Sequence, residues 1–169
     1  MACRDMGVVL DTCVFVNWVR LKPGYGTMGD LIRSEKMCIV VGSDLKVEYI
    51  RQLEKRIAGS GKRMAESMLR DLAEEGILKE IREDQQSMII IHRKDQHVMN
   101  CALTNEHDVG FILTDNKPDF DSDKNYRLPI VLTCTEFINS RGISTHCSEA
   151  KRVFQEIRQI GDSARLQEE

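Results

Sequence analysis

The run Val8-Val9-Leu10-Asp11-Thr12 constrains this chain more than any other stretch. Three apolar residues, two of them β-branched, lead straight into a carboxylate. A short continuous apolar run suits a buried strand, although periodicity alone does not exclude a helix segment. An Asp at the end of such a strand reaches the crevice where open α/β sheets place their ligands. The plainer alternative is that Asp11 caps the helix that follows. What separates the two is whether other carboxylates come to the same place.

Apolar side chains at 14, 15, 18 and 19 fit one face of a helix after Asp11. Lys22-Pro23-Gly24-Tyr25-Gly26 reads as a loop, and a short helix follows from about Met28 to Ser34, with Leu31 and Ile32 inward. Met37–Val41 is a second buried strand. Ser43 or Asp44 is expected to cap the next helix, whose apolar stripe reads Val47, Ile50, Leu53 and Ile57. Gly59-Ser60-Gly61 breaks it. A further helix from about Lys62 to Glu75 carries Met64, Met68 and Leu72 on one face and stops at Gly76, which makes a helical hairpin. Residues 77–91 read as a loop holding one short strand. A helix opens at Asp95 and runs to about Asn105, with Val98, Met99, Ala102 and Leu103 on its face. Val109–Leu113 and Ile130–Leu132 are further strands, followed by a helical turn at Thr135–Asn139 and a last helix capped by Ser148. This alternation predicts an α/β fold around a mainly parallel sheet of four to five strands.

A chain of 169 residues supports one domain with a sizeable core, and no linker divides it. One domain is expected over residues 1–160, with a frayed tail over 161–169. No apolar run approaches the roughly 20 residues of a membrane span. Arg4 and Asp5 precede only a very short apolar run, unlike a signal peptide. The six cysteines form no C-x-x-C pair, and Cys38 and Cys134 sit in apolar segments. Buried free thiols in a cytoplasmic protein are expected, in preference to disulfides or a zinc site.

The acids fall into order along these elements. Asp11 follows the first strand. Glu48 lies on the helix after the second. Asp95 opens the helix before the third, and Asp115 follows that strand. Each alone reads equally as a cap, a surface acid or a turn residue. Together they can meet at one edge of the sheet. Carboxylates gathered without cations repel, and some would be forced to protonate. A hard divalent cation removes that penalty, and all-oxygen ligands suit Mg²⁺ or Mn²⁺.

These features resemble the PIN-domain nucleases, in particular the small single-domain VapC-type toxins. The residues that carry the likeness are Leu10-Asp11-Thr12 after two valines, Glu48, Asp95 with Ala102 beyond it, and Ile112-Leu113-Thr114-Asp115-Asn116 with Asp119-Phe120 following. It spans residues 7 to about 140. It implies a PIN-like fold of three layers, α/β/α, with the helical hairpin beside the active site. It implies metal-dependent hydrolysis of RNA phosphodiester bonds by an activated water, leaving a 5′-phosphate and a 3′-hydroxyl. Asp11, Glu48, Asp95 and Asp115 would hold Mg²⁺ or Mn²⁺, supported by Thr12 and Thr114 hydroxyls, with Asp119 as an outer group. In many relatives the last acidic position comes two residues after the Thr. Here that place is Asn116, so either Asp115 or Asn116 is the inner ligand. The resemblance further implies RNA as substrate, a homodimer, and an antitoxin protein as partner.

The chain's net charge of −3 conceals a basic stretch: Lys46 to Arg70 carries +4 and the remainder −7. Beside a nuclease site, Arg51, Lys55 and Lys62 become candidates for RNA backbone contact; alone they read as solvated helix faces. Aromatic residues are 5% of the chain, so base stacking is not expected to dominate binding. Three other readings are weaker. His92, His97 and His107 near Asp95 suggest a transition-metal site, but His97 would point away from Asp95 on a helix. Gly59-Ser60-Gly61-Lys62 follows a helix where a phosphate-binding loop needs a strand. Thr12-Cys13 stand where a phosphatase-like Asp-x-Asp would need its second acid. A PIN-fold module that binds RNA or protein without cutting, and an RNA-processing nuclease that is not a toxin, stay open.

Overall fold

The computed structural model describes residues 6–82, 95–103, 109–120 and 129–139. Five strands form one parallel sheet: β1 (Met6–Leu10), β2 (Met37–Gly42), β3 (Leu78–Ile81), β4 (Val109–Leu113) and β5 (Ile130–Leu132). Their order across the sheet is β3-β2-β1-β4-β5. The α/β architecture expected from the sequence is therefore the observed one. β1 is the central strand, and all five of its residues are buried. This explains its unbroken apolar run, because a central parallel strand has no solvent face.

The chain builds outward from β1 through β2 to β3, then returns to add β4 on the other side. The order reverses between β1 and β4, which is where doubly wound sheets open a ligand crevice at their carboxyl ends. Asp11 and Thr114, the residues that follow these two strands, flank that point. The backbone N–H of Asp11 still bonds to the Leu113 carbonyl at 2.8 Å, so the ladder continues into the site.

The connecting helices are α1 (Thr12–Val19), α2 (Tyr25–Ser34), α3 (Ser43–Arg56), α4 (Gly61–Glu74), α5 (Gln96–Ala102) and α6 (Cys134–Asn139). The hairpin of α3 and α4 is as expected; Leu53 and Leu72 are buried and Ile50, Ile57, Met64 and Met68 pack partly buried against the core, but the expected stripes are not the fully buried lines. The buried line of α3 is Leu45, Tyr49 and Leu53, and Val47 is 63% exposed. Spacing of four from Leu45 selects Tyr49, whereas the expected stripe took the β-branched Val47 in its place. In α4 the buried line is Gly61, Ala65, Leu69 and Leu72. Met64 and Met68 are only partly buried and border a shallow groove with Trp18, Val19 and Leu21. Gly42, not Ser43 or Asp44, takes the N-cap of α3, and no side chain caps it.

The chain leaves α1, α2 and α4 through a left-handed residue, Leu21, Lys36 and Gly76 respectively. After α4, Gly76 adopts φ 74° while the N–H groups of Gly76 and Ile77 return to the carbonyls of Ala73 and Leu72, both at 3.0 Å. After α1, Leu21 takes the glycine's place at φ 58°, and Leu21 and Lys22 return to Trp18 and Asn17, both at 3.0 Å. A left-handed leucine costs about 1 kcal/mol. What it secures is a fixed position for Lys22.

Three of the expected buried thiols, Cys38, Cys101 and Cys134, are buried and form no disulfide among the described residues, but Cys13 is exposed. Cys3, Cys147, His92, His107, the Ser148 helix and the 161–169 tail lie outside the described residues. Among the described residues no helix is long and apolar enough to cross a membrane.

Gly61 marks the tightest approach in the hairpin. A Cβ there would collide with the Leu53 carbonyl carbon and oxygen, which are backbone atoms and cannot swing aside. Gly61→Ala is expected to destabilise the protein by about 1–3 kcal/mol. The measurement is a lower urea midpoint at an unchanged m-value.

Candidate active site

Asp11 does both things that the sequence left open. It is the N-cap of α1, with Oδ1 accepting from the Thr12 N–H at 2.7 Å. Its Oδ2 accepts from the Thr114 hydroxyl at 2.8 Å. The side chain is thus fixed at both oxygens, one from each strand end. Thr114 is fully buried, and its hydroxyl oxygen in turn accepts the Asn116 N–H at 3.0 Å. One hydroxyl therefore ties Asp11 to the turn that carries Asn116. Thr12 contributes its backbone N–H to Asp11; the hydroxyl contact implied by the resemblance is made by Thr114.

Glu48 arrives by a different route. Tyr49, the next residue, is fully buried and donates its hydroxyl to the Leu10 carbonyl, the residue just before Asp11. Its ring stacks on Phe15 of α1, with centroids 4.2 Å apart. This locks α3 in register against β1 and α1, and so delivers Glu48 to the strand end. Glu48 accepts from Gln52 at 2.9 Å and pairs with Arg51. Its side chain is 18% exposed. Asp95, at the start of α5, is buried.

These parts converge on one cavity of about 390 Å³. Asp11, Glu48, Asp95 and Asn116 line it, with Thr12, Cys13, Val16 and Asn17 from α1, Gln52 and Arg56 from α3, and Lys22. Of the residues singled out in the sequence, the structure brings Asp11, Glu48, Asp95, Thr12 and Asn116 together here. Asp115 is not among the lining residues. Its carboxylate accepts from the Tyr25 hydroxyl at 2.5 Å and from the Asn17 amide at 3.3 Å, just behind the rim. Arg51 is committed to Glu48, and Lys55 and Lys62 do not line the cavity. Asp119 lies on a short 3₁₀ turn, Lys117–Phe120; its side chain is outside the described structure. His97 faces Asp44 at 3.8 Å, not the cavity. The spacing 48, 52, 56 is a signal that the sequence held for Gln52 and Arg56. Lys22 had none, because it depends on how α1 ends.

The donor set is one of oxygen atoms, three carboxylates and an amide, and suits a hard divalent ion. Among the described residues, no three His, Cys, Asp or Glu side chains stand close enough to hold one ion together. Mg²⁺ commonly keeps several waters and takes one or two carboxylates directly. The residues fit an ion bound in that manner, with the remaining carboxylates reached through water.

No family model and no curated protein matches the sequence. Among solved structures, the fold is similar to that of a chain in the crystal structure of VapBC2 from Rickettsia felis bound to a DNA fragment from their promoter. The TM-score is 0.52 at 18% identity, covering 76% of this chain and 98% of that one.

Burial and the hydrogen bond to Asp115 push the Tyr25 hydroxyl from 10.0 up to about 12. Burial, then the charge of Asp115, raises the Cys134 thiol to about 11. A pKa raised on folding means that the folded state holds its proton more tightly. The stabilisation from Tyr25 is complete below pH 10.0 and is lost as the pH climbs through about 12. In urea titrations, wild-type stability is expected to fall more steeply across that window than that of Tyr25→Phe. Parallel curves for the two proteins would contradict the assignment.

Proposed function

We propose that this chain is a Mg²⁺- or Mn²⁺-dependent endoribonuclease of PIN type that hydrolyses RNA phosphodiester bonds. The observation that carries the reading is the convergence of Asp11, Glu48 and Asp95, from three separate elements, on one cavity at the switch point of a parallel sheet. The likeness to a VapBC2 chain supports the PIN-type fold on which the reading rests. It also supports extending the reading to the toxin of a toxin–antitoxin pair, with an antitoxin protein as partner, and we propose a homodimer as its form.

In this reading one or two of Asp11, Glu48 and Asp95 would hold the ion directly, and the remaining acids and the Asn116 amide would reach it through water. A divalent ion supplies the positive charge that makes a water acidic and a phosphoryl group electrophilic. The chain's own part is positioning. Thr114 and the Thr12 N–H keep the Asp11 oxygens from rotating. Tyr49 holds α3 so that Glu48 faces the same space. A carboxylate of the cavity takes the proton of the attacking water. The new bond forms between that water's oxygen and phosphorus. The bond from phosphorus to the 3′ oxygen breaks, and that oxygen leaves protonated from solvent. The products are a 5′-phosphate and a 3′-hydroxyl. Asp115 serves through Asn17 and Tyr25 as a support of the rim.

A second reading is a PIN-fold module that binds RNA or a protein without cutting. The wide spacing of the acids favours it, since among the described residues no three stand together as an ion-holding group.

Cleavage of RNA by purified protein with Mg²⁺ or Mn²⁺ separates the two. Asp11→Asn is expected to lose more than about 100-fold, and Thr114→Val about 10- to 100-fold, as for an outer partner of a ligand. Equal rates in wild type and Asp11→Asn would sink the hydrolytic reading. Failure to bind Mn²⁺ at millimolar concentration would favour the non-cleaving one.

A further inference from the structure

The cavity is not uniformly acidic. Of its carboxylates, Asp11 and Asp95 stand where α1 and α5 begin, and Glu48 lies about two turns before the end of α3. Its two cations, Lys22 and Arg56, lie where α1 and α3 end: Arg56 is the last residue of α3, and Lys22 follows the turn that closes α1. Glu48, Gln52 and Arg56 are spaced by four, so they form one row along α3. Eight residues of helix put Arg56 about 12 Å from Glu48 along the axis.

Neither cation is used up elsewhere. Among the described residues neither Lys22 nor Arg56 makes an ion pair, whereas Arg51, one turn away, is held by Glu48. Both are exposed, so an approaching polyanion can reach them. Their backbones are fixed: Lys22 N–H is bonded to the Asn17 carbonyl at 3.0 Å, at the cost of a left-handed Leu21. A cation set at a helix C-terminus also gains from the helix dipole.

We infer that Lys22 and Arg56 are the substrate-positioning pair of this site. They grip an RNA backbone phosphate away from the scissile one, on the Arg56 side of Glu48. The strand therefore crosses the cavity in one direction, and the enzyme needs chain length on that side. This rests on the hydrolytic reading for the position of the scissile phosphate, but binding tests it independently. It also takes the place of Arg51, Lys55 and Lys62 as the cations proposed to contact the RNA backbone.

The test uses the whole protein with Lys22→Gln, Arg56→Gln, the double variant, and Arg70→Gln as a surface control of equal charge change. Binding of a single-stranded RNA of about 20 nucleotides is followed in EDTA, so that nothing is cut, as a function of salt. Each cavity variant is expected to weaken binding about 3- to 10-fold and to lower the salt slope by about one, with Arg70→Gln unchanged. With Mg²⁺, KM for the long RNA should rise while kcat holds, and cleavage of a dinucleotide should be indifferent to all four. Lys22→Arg and Arg56→Lys should restore the slope. A slope and affinity equal to wild type in the double variant would overturn the pair. So would a loss of kcat on the dinucleotide, which would put the cations at the scissile phosphate. If wild type binds with the expected slopes yet cuts nothing, the hydrolytic reading fails while the binding pair stands. If it cuts and the slopes do not move, the pair alone fails.

Discussion

The hydroxyl of Thr114 is held by its backbone between two strand ends and donates to Asp11 at 2.8 Å. A buried carboxylate loses several kcal/mol of hydration, and what offsets the loss is hydrogen bonding to its charged form. Bonds of that kind contribute about 1.5–3 kcal/mol each. Asp11 receives one from each side of the β1–β4 seam. The seam is also where the strand order reverses, so the crevice and the group that fills it share a cause. Because the same hydroxyl accepts the Asn116 N–H, the turn after β4 has little freedom to drift from Asp11. The remaining parts of the site are brought to this fixed point.

Tyr49 brings the largest of them. Its hydroxyl reaches the Leu10 carbonyl, and its ring lies on Phe15. A helix held only by aliphatic packing can slide or rotate by small amounts with little penalty. A buried hydroxyl cannot lose its acceptor without leaving a polar group unsatisfied, which costs about 1–3 kcal/mol. Tyr49 therefore converts the packing of α3 into a register. From that register follow the places of Glu48, Gln52 and Arg56 in one row.

The sequence showed the strands and most of the acids because these depend on local signals. A central parallel strand must be apolar throughout, and β1 is. Asp11, Glu48 and Asp95 each sit at a strand end or early in a helix, positions that hydrophobic pattern and caps reveal. What was illegible depended on tertiary detail. Val47 looked like core because it is β-branched, but the helix phase is set by Tyr49, whose polar tip disguises a core residue. The choice between Asp115 and Asn116 depends on the turn after β4, where adjacent side chains diverge. Lys22 depends on a left-handed Leu21, a conformation for which the sequence offers no glycine as a signal.

Asp115 shows why proximity in sequence to a site is not membership of its lining. A fourth carboxylate in the cavity would add repulsion to the three already there, and more of them would have to protonate or find a cation. Turning Asp115 outward avoids this. Its charge instead accepts from Tyr25 and from Asn17, and Asn17 is itself a lining residue. The acid holds the wall in place, and a neutral amide, Asn116, lines the cavity. The lining then carries three carboxylates, and two cations where α1 and α3 end. That polarity suits a strand of phosphates with a divalent ion on its path, because ion and phosphates then each meet charge of the opposite sign.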